Sequence, residues 1–406
     1  EQRRGRIADG ASALAAAAFT DHYKSDLAQA RQLGHNAHFF TVEWSRVEPE
    51  PDRFDESALA YYASLAEAIV SHGMTPVAGL FHITLPRWLA DRGGWAHAGA
   101  AERFAKFCRR MAETLAALCQ WWLPLVAPMQ YVTQSYLHAV WPPATPNPIK
   151  AWRSVVQLAR AQRAAYTAIH QACPDAFVGL GVQARRFRPL EETNPWDLRV
   201  ARRETSRSTH GLPQILLRDR WHRFSGLPRG VPASDFIGVS YFGVEPIRFR
   251  AMRPRHGAVS VVDGAGVPAL QESYTPDADE FAETLRELSE YGQPILVTGN
   301  GIATTDDALR SAYLLDHVAA PEAVLRDGID IRGHLYRSLL DGFEWTRGYQ
   351  ARYGLIHVNH DTQSRTPNPS AFLYQELCKT GSVRPGTVSR FCPQWAGGRG
   401  PEGTRP

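Results

Sequence analysis

Lysine is almost missing from this chain. Of 45 basic residues, only Lys24, Lys106, Lys150 and Lys379 are lysines. The 41 acidic residues nearly balance them, leaving a net charge of +4 over 406 residues. Such a balance offers no polycationic face to nucleic acid or to an anionic membrane. Cysteine is sparse as well. Cys108, Cys119, Cys173, Cys378 and Cys392 are an odd set with no Cys-x-x-Cys spacing. That pattern argues against a disulfide framework and a zinc site, and it leads us to expect a reducing, cytoplasmic setting. No apolar run reaches membrane-spanning length. The sequence as given opens on no leader-peptide pattern. It also lacks a phosphate loop, a Gly-x-Gly-x-x-Gly turn after an early strand, and any metal-ligand spacing, so neither cofactor nor metal is expected.

What is present is a hydrophobic content of 44%, enough for a large core, and a repeated strand–helix pattern. Asp21 to Leu33 reads as a helix stopped by Gly34, and Asn36 to Val42 as a buried strand. Glu56 to Ser71 carries Leu59, Tyr62, Leu65 and Ile69 on one face, and Pro76 to Phe81 follows as a strand. Further strands are expected at Gln130 to Thr133, Phe177 to Val182, Phe236 to Tyr241, Ile295 to Thr298 and Gly333 to Ser338. Seven strands separated by helices predict an α/β fold with a parallel sheet, as in a (β/α)8 TIM barrel. Closure requires an eighth strand before Asp21, expected to be short, atypical or only partly contained in the twenty residues of this Ala-rich stretch. The barrel domain is expected over residues 1–379. Residues 380–406, rich in Gly, Pro and Arg, read as a mobile or surface-draped tail. Ala251 to Pro276 reads as a long loop after the sixth strand.

Several ordered segments carry a family resemblance. They are Asp21-His22-Tyr23-Lys24, Trp44-Ser45-Arg46-Val47-Glu48-Pro49, Phe81-His82-Ile83-Thr84-Leu85-Pro86, Gly93-Gly94-Trp95 and Asp235-Phe236-Ile237-Gly238. Ser338-Leu339-Leu340-Asp341-Gly342-Phe343-Glu344-Trp345, Arg352-Tyr353-Gly354-Leu355 and Arg365-Thr366-Pro367 follow. From about Asp21 to Tyr374 the chain resembles glycoside hydrolase family 1, the β-glucosidase-like barrels. The resemblance implies a sugar-binding pocket at the carboxyl ends of the strands and, in ordinary members, a retaining mechanism. That mechanism uses two glutamates roughly 5 Å apart.

Both glutamates are replaced. The family's fourth strand ends Thr-Phe-Asn-Glu-Pro, and matching it to Tyr131-Val132-Thr133-Gln134-Ser135 places Gln134 at the acid/base position. An amide cannot transfer a proton at neutral pH. The seventh strand's Thr-Glu-Asn-Gly becomes Thr298-Gly299-Asn300-Gly301, which removes the nucleophile. The family's Arg and Tyr that hold the nucleophile are Phe39 and Phe242 here. A buried Arg or Tyr without its carboxylate partner would be left unsatisfied, so the paired loss fits a natural change better than an engineered one.

Other sugar-site positions persist by resemblance: His82 for ring hydroxyls, and Glu344 with Trp345 for the far side of the ring. Thr133, Gln134 and Tyr241 complete the expected lining. Arg337 replaces a Trp under the sugar and offers a fork suited to a carboxylate or phosphate; the plainer alternative is a pair with Glu344 or Asp341. Strand alternation points Glu43 inward, as a substitute acid or base, a partner of Arg337, or a solvated rim carboxylate. Glu43 and His82 are thus the catalytic candidates. Three readings stand. The first is a protein binding or acting on a glycoside or sugar-like ligand, with an acidic group if Arg337 meets it, by a non-standard route. The second is a non-catalytic sugar-binding or scaffold pseudoenzyme. The third is a β-glycosidase with an engineered Glu-to-Gly knockout at 299.

Overall fold

The computed structural model describes residues 7–220, 226–249, 259–261 and 274–395. Strands in chain order are β1 (Ala37–Thr41), β2 (Thr75–Phe81), β3 (Trp121–Leu125), β4 (Phe177–Gln183), β5 (Arg186–Pro189) and β6 (Phe236–Tyr241). They continue with β7 (Val244–Phe249), β8 (Val259–Val261), β9 (Ile295–Asn300), β10 (Ile331–Tyr336), β11 (Ile356–Val358) and β12 (Arg365–Pro367). β1, β2, β3, β4, β6, β9 and β10 form one seven-stranded sheet in that order, parallel throughout. It curls into a nearly closed barrel with the helices outside.

Local chemistry sets the alternation. Asp55 caps the helix Glu56–Ser71, accepting from the Ser57 and Ala58 amides. Asn147 and Asn194 cap Pro148–Ala172 and Pro195–Leu216 in the same way, each ahead of a Pro at the first helical position. Leu59, Tyr62, Leu65 and Ile69 bury the inner face of the first of these helices. Central strands such as β6 and β9 are buried along their whole length, as a parallel sheet covered on both faces requires.

Three expectations need correction. The strand expected at Gln130 to Thr133 is helical: Pro128–Val132 is an α-helix, and Thr133–Leu137 continues it as a π turn. The strand lies earlier, at β3, which pairs with Val77 to Phe81 of β2 and with Phe177 and Val178 of β4. Pro124 hid it, because a proline inside a run argues against a central strand. The ladder tolerates Pro124 by passing from Leu123↔Gly79 to Leu125↔Phe81.

Second, no strand precedes Asp21 among the described residues. Ala8–Gly10 is a single 3-10 turn. The segment then drapes over the β11–β12 hairpin: Ala16 O accepts from the Gln363 amide and Ala17 O from Arg365. Third, the tail is not uniformly irregular. Pro385–Phe391 is a helix, Cys392 is buried, and Trp395 Nε1 donates to Asp316 Oδ1 at 2.7 Å. Of the long loop expected at 251–276, residues 251–258 and 262–273 lie outside the described residues.

Candidate functional site

A cavity of about 390 Å³ opens at the carboxyl ends of the barrel strands. Each strand contributes at its end, as this architecture demands. β1 supplies Phe39 and Thr41, and the turn after β2 supplies His82 and Ile83. Val126 and Ala127 follow β3, with Gln130 and Gln134 on the helical turns beyond. β4 gives Gln183, β6 gives Ser240 with Phe242 just past it, and β9 gives Thr298 and Gly299. Arg337, Glu344, Trp345 and Arg347 close the wall after β10.

The charged centre is one ion pair. Arg337 donates to Glu344 Oε2 at 2.6 Å. Its guanidinium carbon lies 4.5 Å from the Tyr353 ring centroid and 5.8 Å from that of Phe242. Burial opposes the charge, but the Glu344 carboxylate outweighs it and moves the Arg337 pKa upward, so the cation is held firmly. Asp341, the other partner considered for Arg337, is engaged elsewhere, with Arg352 at 3.1 Å and His357 at 3.0 Å. Burial, with a smaller push from Arg337, lowers His82 to about 4. His82 is therefore neutral at pH 7, with one donor and one acceptor nitrogen for hydroxyl groups.

The floor is uncharged. Phe242 lies beside Gly299, where a Cβ would stand 3.9 Å from its Cζ, Phe39 lines the cavity from β1, and Ser240 Oγ and Thr298 Oγ1 lie 3.5 Å apart next to Gly299. Gln183 donates to the Tyr274 hydroxyl at 3.2 Å. Glu344 is the only carboxylate among the described residues that line the cavity, and it is bound to Arg337.

Several expected positions differ. Gln134 lines the cavity but does not follow a strand. The residues after β3 are Val126-Ala127-Pro128, and Pro128 opens a helix. When the strand end and the proline are both matched to Asn-Glu-Pro, the acid/base position falls on Ala127. Trp122 ahead of Pro128 was a usable sequence signal, outweighed by the β-branched and aromatic run Tyr131-Val132-Thr133. Thr133 lies outside the cavity, against His138, Arg185 and Glu204.

Tyr241 also points away from the cavity. It is fully buried on the helix side, stacked 4.8 Å from Phe281, and its hydroxyl donates to Asp277 O at 2.9 Å. Period-two alternation along β6 sends Ser240 and Phe242 inward instead. Glu43 is not a cavity residue. β1 ends at Thr41, and Glu43 caps the short helix Trp44–Val47. Its carboxylate accepts from the Ser45 hydroxyl and the Thr84 hydroxyl, each at 2.7 Å. Of the expected lining, His82, Gln134, Arg337, Glu344 and Trp345 do come together. Sequence reasoning missed Ala127, Gln130, Gln183 and Arg347.

Comparison with known proteins agrees with this architecture. The sequence model of glycosyl hydrolase family 1 matches residues 1–214 and 235–382. Beta-glucosidase A of Thermotoga maritima is 26% identical over 396 residues, covering 89% of this chain and 87% of its own. The solved beta-glycosidase from Pyrococcus horikoshii superposes with a TM-score of 0.80 at 28% identity, over 93% of this chain and 88% of that one. The Thermotoga maritima beta-glucosidase in complex with glucoimidazole gives a TM-score of 0.83 at 24% identity, over 93% and 91%. With a family match over most of its length and the barrel that goes with it, the chain is a member of glycosyl hydrolase family 1.

Proposed function

We propose that the protein binds a hydroxylated, sugar-like ligand bearing an acidic group, and does not hydrolyse glycosides by double displacement. The observation that carries this reading is the lining itself: the only carboxylate among its described residues is Glu344, and that one is paired with Arg337 at 2.6 Å. A retaining glycosidase needs one carboxylate to attack the anomeric carbon and a second to protonate the leaving group. Ala127 and Gly299, where these would stand, offer neither.

Support for a sugar-like ligand comes from what remains. Neutral His82, the amides of Gln130, Gln134 and Gln183, and the hydroxyls of Thr41, Ser240 and Thr298 surround the space. Solved relatives with a matching barrel hold glucoimidazole and castanospermine. Support for the acidic group is Arg337, whose five donors are not exhausted by one bond to Glu344. A β-glycosidase disabled at residue 299 alone fits less well, because Ala127, Phe39 and Phe242 would each be an independent loss.

The test is a calorimetric titration of the protein with glucuronate beside glucose. A charge-assisted hydrogen bond contributes about 1.5–3 kcal/mol, so glucuronate should bind tighter by about tenfold or more. Arg337→Gln should abolish the preference. Equal binding of both sugars, or binding of neither, contradicts the reading.

A further inference from the structure

The cavity wall after β10 carries two guanidinium groups and one carboxylate. Arg337 takes the carboxylate, donating to Glu344 Oε2 at 2.6 Å. Arg347 also lines the cavity, and it has no acidic partner among the described residues. Burial lowers the histidines of the lining, His35, His38, His82 and His334, to about 4, so none of them adds charge at pH 7. Arg347 is therefore the one cation of the described lining without a counter-charge. A guanidinium so placed is an open fork for a carboxylate.

The turn that presents Arg347 is closed on itself. Glu344 N–H donates to Gly348 O at 2.7 Å, and Arg347 N–H donates to Glu344 O at 2.9 Å. Gly348 is packed against the N-terminal segment, where a Cβ would stand 3.2 Å from Ala8 O and 3.2 Å from Ala11 Cβ. Along this turn the wall passes from inside to outside. The Glu344 side chain is 12% exposed, Trp345 is 44% exposed, and Arg347 is half-buried. Trp345 is held at φ 50, a left-handed backbone that a bulky residue adopts only where its surroundings impose it. Such outliers cluster at ligand clamps, and ligand clefts are built from aromatic faces with a few placed polar groups. An indole and an unpaired guanidinium on one short turn, just outside the Arg337–Glu344 pair, make a second place for an acidic ring. We propose that the pocket takes two linked acidic sugar units, the inner one at Arg337 and the outer one laid on Trp345 with its carboxylate on Arg347. The proposal rests on the reading of the pocket as a site for an acidic sugar, and names its ligand class as a uronate oligosaccharide.

Two β-1,4-linked disaccharides test it: glucuronosyl-glucuronate and glucuronosyl-glucose, which differ in one carboxylate alone. Both are titrated calorimetrically into the intact protein. The second carboxylate gains a charge-assisted bond, so the diuronide should bind about tenfold or more tighter. Arg347→Gln should bring the two disaccharides to equal affinity. Arg347→Lys, which keeps the charge but not the fork, should retain part of the difference. Trp345→Ala should weaken both disaccharides more than it weakens glucuronate. Equal affinity of the two disaccharides for the parent, binding of neither, or an undiminished difference in Arg347→Gln overturns the proposal, and Arg347 is then an arginine solvated at the rim. Equal weakening of glucuronate by Trp345→Ala would put the indole at the inner ring and overturn it as well. Failure here is distinct from failure of the functional reading. That reading falls if glucuronate and glucose bind alike, whereas a preference for glucuronate together with equal disaccharides leaves it standing and removes only the outer site.

Discussion

The Phe39 ring occupies the space above Gly79: a Cβ on residue 79 would stand 2.8 Å from Phe39 Cζ. Val126 Cγ2 at 3.0 Å and Thr41 Cγ2 at 3.2 Å close the remaining sides. Phe39 on β1 and Gly79 on β2 are therefore one packing decision. A floor built of benzyl rings needs its neighbouring strand stripped to hydrogen at this point.

The coupling can be measured. Gly79→Ala should destabilise the protein by about 1–3 kcal/mol, because the methyl meets ring and branched carbons that cannot all move away. Phe39→Leu in the same chain should recover part of that loss. The readout is a urea-melt double-mutant cycle. Strict additivity of the two changes would show that ring and glycine do not compete for the same space.

Restoring a carboxylate at the ninth strand should fail. In Gly299→Glu the new Cβ meets Ser240 Oγ at 3.1 Å and Ser240 Cβ at 3.5 Å, with Phe242 Cζ at 3.9 Å. The carboxylate would then lie on an uncharged floor with no cation bound to it. We expect a loss of roughly 1–3 kcal/mol in a denaturant melt and no hydrolysis of aryl β-glycosides. A variant as stable as the parent and active on these substrates would mean that a single change had disabled an ordinary glycosidase.

Much of this was legible in the sequence, for reasons specific to each element. The helix Glu56–Ser71 is read correctly because Asp55 caps it and a helical period of apolar residues fills it. β6 and β9 are read because buried parallel strands are continuous apolar runs. β3 was missed because Pro124 contradicts local propensity, so the family's strand-end motif was matched to Gln134 on a helical turn and not to the Val126-Ala127-Pro128 that follows β3. Tyr241 and Glu43 were misplaced for a different reason. Which face of β6 looks inward, and where β1 gives way to a helix cap, depend on ladders and caps that residue identity alone does not determine. The Phe39–Gly79 contact joins residues 40 positions apart and carries no local signature.

Breaking the pocket's ion pair should change what it prefers. Glu344→Gln keeps the shape but leaves Arg337 without its carboxylate, and should cost about 1–3 kcal/mol in stability. The freed cation should bind glucuronate more tightly than the parent does, while glucose binding weakens or stays the same. Parallel calorimetric titrations of variant and parent decide this. A weaker glucuronate complex would mean that Glu344, not Arg337, holds the ligand.

Histidine burial makes the fold sensitive to acid. His35, His38, His82 and His334 are lowered to about 4 and His317 to about 3, burial being the leading cause for each. Between pH 6.5 and these values the unfolded chain binds more protons than the folded one, so stability falls as pH drops through that window. Above pH 6.5 these groups contribute no slope. Urea midpoints should be flat from pH 7 to 8 and decline steadily from pH 6.5 to 4. A midpoint that holds constant down to pH 4.5 would show that these imidazoles are not buried in their neutral form.

The most direct test of the central claim is intact mass after incubation with an activated 2-deoxy-2-fluoro-β-glucoside. This reagent traps the glycosyl-enzyme of a retaining glycosidase on its nucleophile, and residue 299 has no side-chain atom that could attack. The account predicts an unchanged mass after prolonged exposure. A stoichiometric adduct mapped by peptide sequencing to residues 295–301 would contradict it, because a nucleophile would then exist where the structure places Gly299.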